Sequence, residues 1–500
     1  MSTVSDLVAA SAALRSPNNL SNEDYDRQLR GHVTHVRRLI SKRDLGSIAR
    51  DDALLDQFDP SNDSITYLFL LHLQIQTLRE ESSGTLPAEL LPLGSFWSKA
   101  AHYLRTFDCI QVRYAGHEWL QLVEFMGLAS QGSSKPILTA QLIRDALLRL
   151  DPSCAVLTST HVLLTQLCLA SRAYTCALPV LDKQIRHIPA LPNRAPSNSI
   201  SALCAEHESS LSFINETTGL SSKLSYRDYL RYFLYGGMIY LALKEWRKAS
   251  HFLGTVISMP TLGSVSMIMV EAYKKWILVG LLEKGKLCSP PSITASHVVK
   301  TLQSLVKPYI SLAHTFERGD VKKLEVEVDA ARDIWCQDNN MGLVCQVASA
   351  YSRHSLINTS KVFAALTVSE VSSHISLLST DTDEVGEANI ASLVVAGTID
   401  ATLVHLHPHS RDTMLRFPDV SSWEEVSYET KIQSQFQEEG QILKSLFVGM
   451  EENSKRLGLS DEFIDHVIRG QLWPTAGSMN PSLGGNAGSE MEEDIMGDLS

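Results

Sequence analysis

Apolar residues recur at steps of three and four along most of the chain, the period of one face of an α-helix. In HVVKTLQSLVKPYISLAHTF, Val299, Leu302, Leu305, Val306, Tyr309, Leu312, Ala313 and Phe316 draw one stripe. Pro308 inside it lacks an amide proton and clashes with the preceding turn, so a kink or break is expected there. Gly319-Asp320 should stop that helix and cap the next, whose core face runs Val321, Leu324, Val328, Ala331 and Trp335. Similar stripes cover residues 26–55, 65–78, 96–125 and 138–150. Strand-like alternation is almost absent before residue 400.

The stretch LYGGMIYLALKEWRKAS (234–250) sets two adjacent glycines in an apolar run. A phosphate loop would need GxxxxGK[ST], or GxGxxG directly after a strand. Neither occurs, and YRDYLRYFLY before the glycines reads as helix. A tetratricopeptide-like pattern fits better, with Phe233, Gly237 and Tyr240 on a first helix and Ala249 on a second, and Pro260 near the closing proline. Gly237 and Ala249 facing each other would let two antiparallel helices approach closely, with LKEWRKA as the turn. Gly236 has no individual role in this scheme. A fainter copy, HVLLTQLCLASRAYTCALPVLDKQI, puts Thr165 in the glycine slot and Ala177 in the alanine slot. One helix pair cannot bury its apolar face alone, so two units imply a solenoid.

The texture changes after residue 354. NTSKVFAALTVSEVSSHISLL reads as two short helices joined at Leu366-Thr367. A third helix follows with Val385, Ala388, Ile390, Leu393 and Val394, then short strands ATLVHLH and TMLRFPD around a PHSRD turn. Three helices and a β-hairpin make a winged helix. Asp381, Asp383, Glu384 and Glu387 introduce the third helix, and no Lys or Arg follows before Ile399, a charge pattern that repels a phosphate backbone. Protein–protein contact through the wing, at Leu403, Val404 and Leu406, is the favoured role.

HLHPHSRD carries the strongest catalytic suggestion. His405, His407 and Pro408 match the opening of the HxHP zinc motif of JAMM-type isopeptidases. The expected serine falls on Leu415 and the expected aspartate on Pro418, with Asp419 one residue late. Period two gives a plainer reading, with Val404 and Leu406 inward and His405 and His407 toward solvent. No GxSxG or HExxH occurs either, so no catalytic, metal or cofactor residue is expected.

Toward the C-terminus Phe436, Leu443, Met450 and Leu457 recur every seven residues, flanked by Ile432, Leu446 and Phe447. That is a coiled-coil-like seam for partner helices, or for packing back on the same chain. Gly458 should end this helix, and Ser460 cap another carrying Phe463, Ile464, Val467 and Ile468.

A net charge of −12 argues against nucleic acid as main partner. The eight cysteines include no CxxC pair and read as free thiols of a reducing compartment. The first residues make a poor secretory signal, and runs such as WILVGLL are too short to span a membrane, so neither membrane nor secretion is expected. Arg30, Arg37, Arg38, Lys42 and Arg43 read as a solvated helix face or a patch for an acidic partner. The expected organisation is helical repeats over 1–186, a mobile insertion over 187–224 and repeats over 225–354. A winged helix over 355–420, bundle helices over 421–470 and a disordered acidic tail over 471–500 complete it.

Helical repeats followed by a winged helix resemble the PCI-domain family, scaffold modules of the proteasome lid, the COP-nine signalosome and a translation initiation factor. Within it, YFLYGGMIYLALKEWRKA, VEAYKKWILVGLLEKGK and DNNMGLV are similar to the signalosome's third-subunit family, most densely over residues 226–344. The resemblance implies a mostly α fold: a TPR-like solenoid, a winged helix and C-terminal amphipathic helices. It also implies a non-catalytic scaffold in a complex that removes the ubiquitin-like modifier Nedd from cullin-type ubiquitin ligases, the zinc isopeptidase residing in another subunit. Implied partners are the other signalosome subunits, both PCI and metalloprotease-fold, and indirectly the cullin ligases, in cytoplasm and nucleus. The equivalent proteasome-lid subunit is the alternative. DNNMGLV suggests no chemistry beyond Asp338 or Asn339 capping the helix that carries Met341 and Leu343.

Overall fold

The N-terminal stripes fold as α1 (Ser2–Leu14), α2 (Asn22–Ile40), α3 (Ser64–Glu81), α4 (Ser95–Thr106), α5 (Cys109–Val112), α6 (Gly116–Gln131) and α7 (Pro136–Leu150). The stripe over 96–125 is cut twice. Phe107 turns extended to end α4, and the Asp108 carboxylate accepts the Ile110 amide at 3.1 Å to start α5. Then come α8 (Ser159–Ala170), α9 (Tyr174–Leu181), α10 (Tyr226–Ala242), α11 (Trp246–Ser258) and α12 (Met267–Lys284). The computed structural model describes residues 2–14, 21–40, 52–82, 87–131, 136–188, 210, 213–215, 217–261, 265–368, 370–371, 383–395, 399, 401–405, 413–417 and 425–458.

The next stripe is split as Pro308 requires. α13 (Ser296–Leu305) stops at Val306, and α14 (Lys307–Arg318) starts with the proline in its first turn, where no amide is needed. Gly319 closes α14 at φ 78°, and Asp320 accepts the Lys323 amide at 3.2 Å to cap α15 (Val321–Ala330). A break at Ala331 separates α15 from α16 (Arg332–Gln337), and α17 (Met341–Ser360) follows.

Three helix junctions share one backbone device. Arg172 (φ 54°), Lys244 (φ 61°) and Asn339 (φ 55°) each adopt the left-handed conformation between α8 and α9, α10 and α11, and α16 and α17. The next amide then reaches back five residues: Ala173 to Cys168 (3.0 Å), Glu245 to Tyr240 (3.0 Å) and Asn340 to Trp335 (2.8 Å). This is the Schellman closure, which satisfies carbonyls a helix end leaves bare. Aligned on the left-handed residue, Thr165 coincides with Gly237 and Ala177 with Ala249, so the faint repeat and the clear one share a register.

One core runs from Leu7 in α1 to Tyr351 in α17. A smaller one collects Leu356, Val368, Val371, Ile390, Ile399, Leu415 and Phe417. α17 enters both, running unbroken through the boundary expected at 354/355. Beyond it lie β1 (Ala365–Thr367), α18 (Asp383–Val395), β2 (Thr402–His405) and β3 (Thr413–Arg416), an antiparallel sheet of order β1-β3-β2. Leu366 and Thr367 do stand between two helical stretches, α17 before them and the helical residues Val368, Glu370 and Val371 after them, but in extended form. They are strand residues, Leu366 opposite Leu415, because β3 has a free edge whose backbone groups β1 satisfies. The fold is a mostly α, TPR-like solenoid followed by a winged helix.

Part of the stretch 187–224, expected to be mobile, is packed. Phe213, Ile214 and Leu220 are buried, and the Arg113 guanidinium sits 4.0 Å from the centre of the Phe213 ring. Ser210 donates to Asp151 at 2.6 Å, and the His187 carbonyl accepts the Leu157 amide at 2.9 Å. Both attachments fall on the connection between α7 and α8.

The chain divides into two units, residues 1–420 and 421–500. The second contains α19 (Glu425–Gly458). The following helix and the acidic tail lie outside the described residues. No helix among the described residues is long and apolar enough to cross a membrane.

Candidate functional site

The hairpin of α10 and α11 is organised around both glycines. A Cβ on Gly236 would lie 2.6 Å from two ring carbons of Phe252, and one on Gly237 would lie 2.9 Å from Leu253 Cδ2. The atoms nearest Gly237 belong to Leu253 and Phe252, and Gly236 has its own reason to lack a side chain. Ala249 is fully buried. Phe252 meets Phe233 at 5.4 Å and Tyr240 at 5.1 Å between ring centres, so the aromatics fill the space the glycines open. The Tyr240 hydroxyl donates to Asp182 at 2.9 Å, as does Lys248 Nζ at 2.7 Å, tying the hairpin to the end of α9. Burial first, then the Asp182 hydrogen bond, raises the Tyr240 phenol far above its usual range.

α12 is apolar almost all round, as a helix at the centre of a solenoid must be. Its middle nevertheless carries Lys274 and Lys275, and a buried ammonium without a partner is very costly. The partners come from the turn before α17. Asp338 accepts from Lys274 at 2.6 Å and from the Tyr309 hydroxyl at 2.8 Å. Asn340 accepts from Lys275 at 3.0 Å and donates to the Tyr309 oxygen at 2.9 Å, and Lys275 also pairs with Glu271. VEAYKKW and DNNMGLV, which share no local pattern, are thus two halves of one buried polar lock. The capping role expected of Asp338 or Asn339 is absent. Asn340 holds the cap position without a side-chain cap bond, Asn339 is the left-handed turn residue, and Asp338 is committed to Lys274.

The lock holds α17 where it feeds the wing. There β2 forms an outer edge of the sheet, with Leu403 opposite Leu415 and packed against the small core. Thr402 and Val404 are exposed, so the strand's phase is opposite to the one expected: Leu403, not Val404, faces inward. The cause is the pairing of Leu403 with the fully buried Leu415, which fixes the side of each residue. Leu406 and His407 lie outside the described residues. On α18, Ile390 is buried and Glu387 accepts from the Thr413 hydroxyl at 2.9 Å, an acidic helix fastened to the sheet. Among the described residues no group of three or more His, Cys, Asp or Glu is placed to hold a metal ion.

The second unit presents a different kind of surface. On α19, Phe436 and Met450 are each 70% exposed, and Leu443, Leu446 and Phe447 are exposed beside them. The side chain of Leu457 lies outside the described set. At 1.5 Å per residue the helix runs about 50 Å. Leaving such side chains in water forgoes about 1.5–3 kcal/mol each, so a continuous row of them is unfinished without a covering surface. In the basic N-terminal stretch, by contrast, Arg30 pairs with Asp26 at 2.7 Å and Arg37 with Glu118 at 2.8 Å, which favours a solvated, internally paired face.

Comparison with known proteins agrees over the whole length. Residues 27–299 match the family described as COP9 signalosome complex subunit 3, N-terminal helical repeats. COP9 signalosome complex subunit 3 of Emericella nidulans is 39% identical over 495 residues, covering 98% of each chain. Its counterpart in Neurospora crassa is 26% identical over 461 residues, 91% of this chain and 89% of that one. That of Arabidopsis thaliana is 25% identical over 364 residues, 73% and 72% of the two chains.

Proposed function

The chain belongs to the COP9 signalosome subunit 3 family, and from that membership we propose that it acts as a non-catalytic scaffold of the complex. In this reading the solenoid offers lateral surface, the wing edge at Val404 pairs with neighbouring wings, and α19 enters a shared helical bundle. The work supported is removal of the ubiquitin-like modifier Nedd from cullin-type ubiquitin ligases, with the zinc isopeptidase held by another subunit. Cytoplasm and nucleus are the compartments this role requires. The observation that carries the proposal is the exposed row Phe436, Leu443, Leu446, Phe447 and Met450, which suits a partner helix.

The test is a reconstitution with and without this chain, assayed on a Nedd-conjugated cullin. Assembly and full activity should require the chain, while the chain alone should show no turnover and bind no stoichiometric zinc. Turnover by the isolated chain, lost in His405→Ala with His407→Ala, would refute the non-catalytic assignment.

A further inference from the structure

We propose that the cleft between α3 and α6 is a docking site for a partner peptide that sets a large apolar side chain between a carboxylate and a basic group. The two helices start side by side, the Gln111 side chain just before α6 accepting the Ile65 amide at 3.4 Å. α3 buries every residue from Ser64 to Leu71, but its last turns open onto a cavity of about 280 Å³ shared with α6. Ile75, Leu122 and Phe125 form its buried floor. An apolar cavity of about 150 Å³ already admits benzene, so this one has room for a large side chain. Leu128 stands at the rim 61% exposed, apolar surface that an occupant would cover.

The charged groups of the cleft say what else the occupant carries. Arg79 lies 5.8 Å from the centre of the Phe125 ring, and a guanidinium held over a ring keeps its N–H donors for a carboxylate. Glu124 belongs to the α6 wall. Among the described residues neither Arg79 nor Glu124 enters an ion pair. Burial lowers the pKa of His72, the third titratable group of the cleft, and keeps that ring neutral near pH 7. The cleft thus offers one cation, one anion and an apolar floor, and a peptide of the reverse pattern fits it. A nucleic acid or a purely acidic segment would meet Glu124 instead. From His72 to Arg79 the wall runs about 10 Å, the reach of about three extended residues, enough for an acidic, an apolar and a basic side chain.

The test selects phage-displayed random peptides on the full-length chain, with counter-selection on the Arg79→Glu variant, and measures the best binder by isothermal titration calorimetry. Selected peptides should share a large apolar residue flanked by an acidic and a basic one. Arg79→Glu and Leu128→Asp alter exposed side chains, so both variants should stay folded by circular dichroism while each weakens binding about tenfold. Changing the peptide's acidic residue to lysine should weaken binding to the natural chain and restore it to Arg79→Glu, a reversal that a damaged fold cannot give. Failure to enrich any sequence would overturn the proposal, as would affinity indifferent to Arg79→Glu. Displacement of the peptide by L-phenylalanine alone would also overturn it, making the cleft a site for a free amino acid.

Discussion

Lys274 Nζ lies 2.6 Å from Asp338 Oδ1, joining the middle of α12 to the turn that launches α17 toward the wing. Both side chains are largely buried, and Tyr309 occupies the other carboxylate oxygen at 2.8 Å. Removing Asp338 leaves Lys274 only the more distant Glu271 carboxylate at 3.7 Å, so Asp338→Ala should lower unfolding stability by about 3 kcal/mol in urea titrations. Asn339→Gly, next to it in sequence, should change stability by less than about 1 kcal/mol, because glycine adopts that positive φ freely. Equal effects of the two substitutions would contradict the lock.

The glycine pair makes a second contrast. Alanine normally gains about 1 kcal/mol over glycine inside a helix. At Gly236 the new methyl would strike the Phe252 ring, itself held by Phe233 and Tyr240, and overpacking of that kind costs about 1–3 kcal/mol. Gly236→Ala should therefore destabilise on balance. Gly237→Ala should cost less, since it meets the end of the more pliable Leu253 side chain. A thermal-denaturation series on both variants checks the order.

Residues whose reasons are local were legible in the sequence. Pro308, Gly319 and Asp320 act on their own backbone, and their breaks and caps fall where the spacing puts them. That residues 425–458 form a helix was readable for the same reason. What escaped were pairings between distant segments. Nothing near DNN signals Lys274 and Lys275, although two lysines in an otherwise apolar helix advertise a need for buried partners. The role of Gly236 depends on Phe252 across the turn, and the phase of β2 on Leu415 of its neighbour strand.

Acid should weaken the solenoid through His161. It is fully buried against the Tyr232 ring, 5.9 Å between centres, and burial lowers its pKa to about 4. The unfolded chain takes up this proton near pH 6.5 and the folded chain only near 4. Stability from this group is thus complete above about pH 6.5 and is lost as pH falls toward 4, by about 2 kcal/mol between pH 7 and pH 5. Urea midpoints at those two pH values, compared with His161→Gln, should show the variant less pH-sensitive by that amount.

The α19 row should matter for assembly and not for folding. Phe436→Ser with Leu443→Ser and Met450→Ser removes three exposed apolar side chains, so stability of the isolated chain should stay within about 0.5 kcal/mol per site. If each is buried against a partner helix, the loss is at least about 4.5 kcal/mol, or roughly a thousandfold in affinity. Binding measurements against a complex lacking this subunit would show it.

Incorporation into the signalosome should depend on the C-terminal unit. The direct measurement is affinity purification from cells of the tagged full chain beside a chain ending at Val420, with partners identified by mass spectrometry. The full chain should recover a signalosome set including its isopeptidase, and the shortened chain should be recovered folded but nearly alone. A proteasome-lid set with the full chain, or normal incorporation of the shortened one, would contradict it.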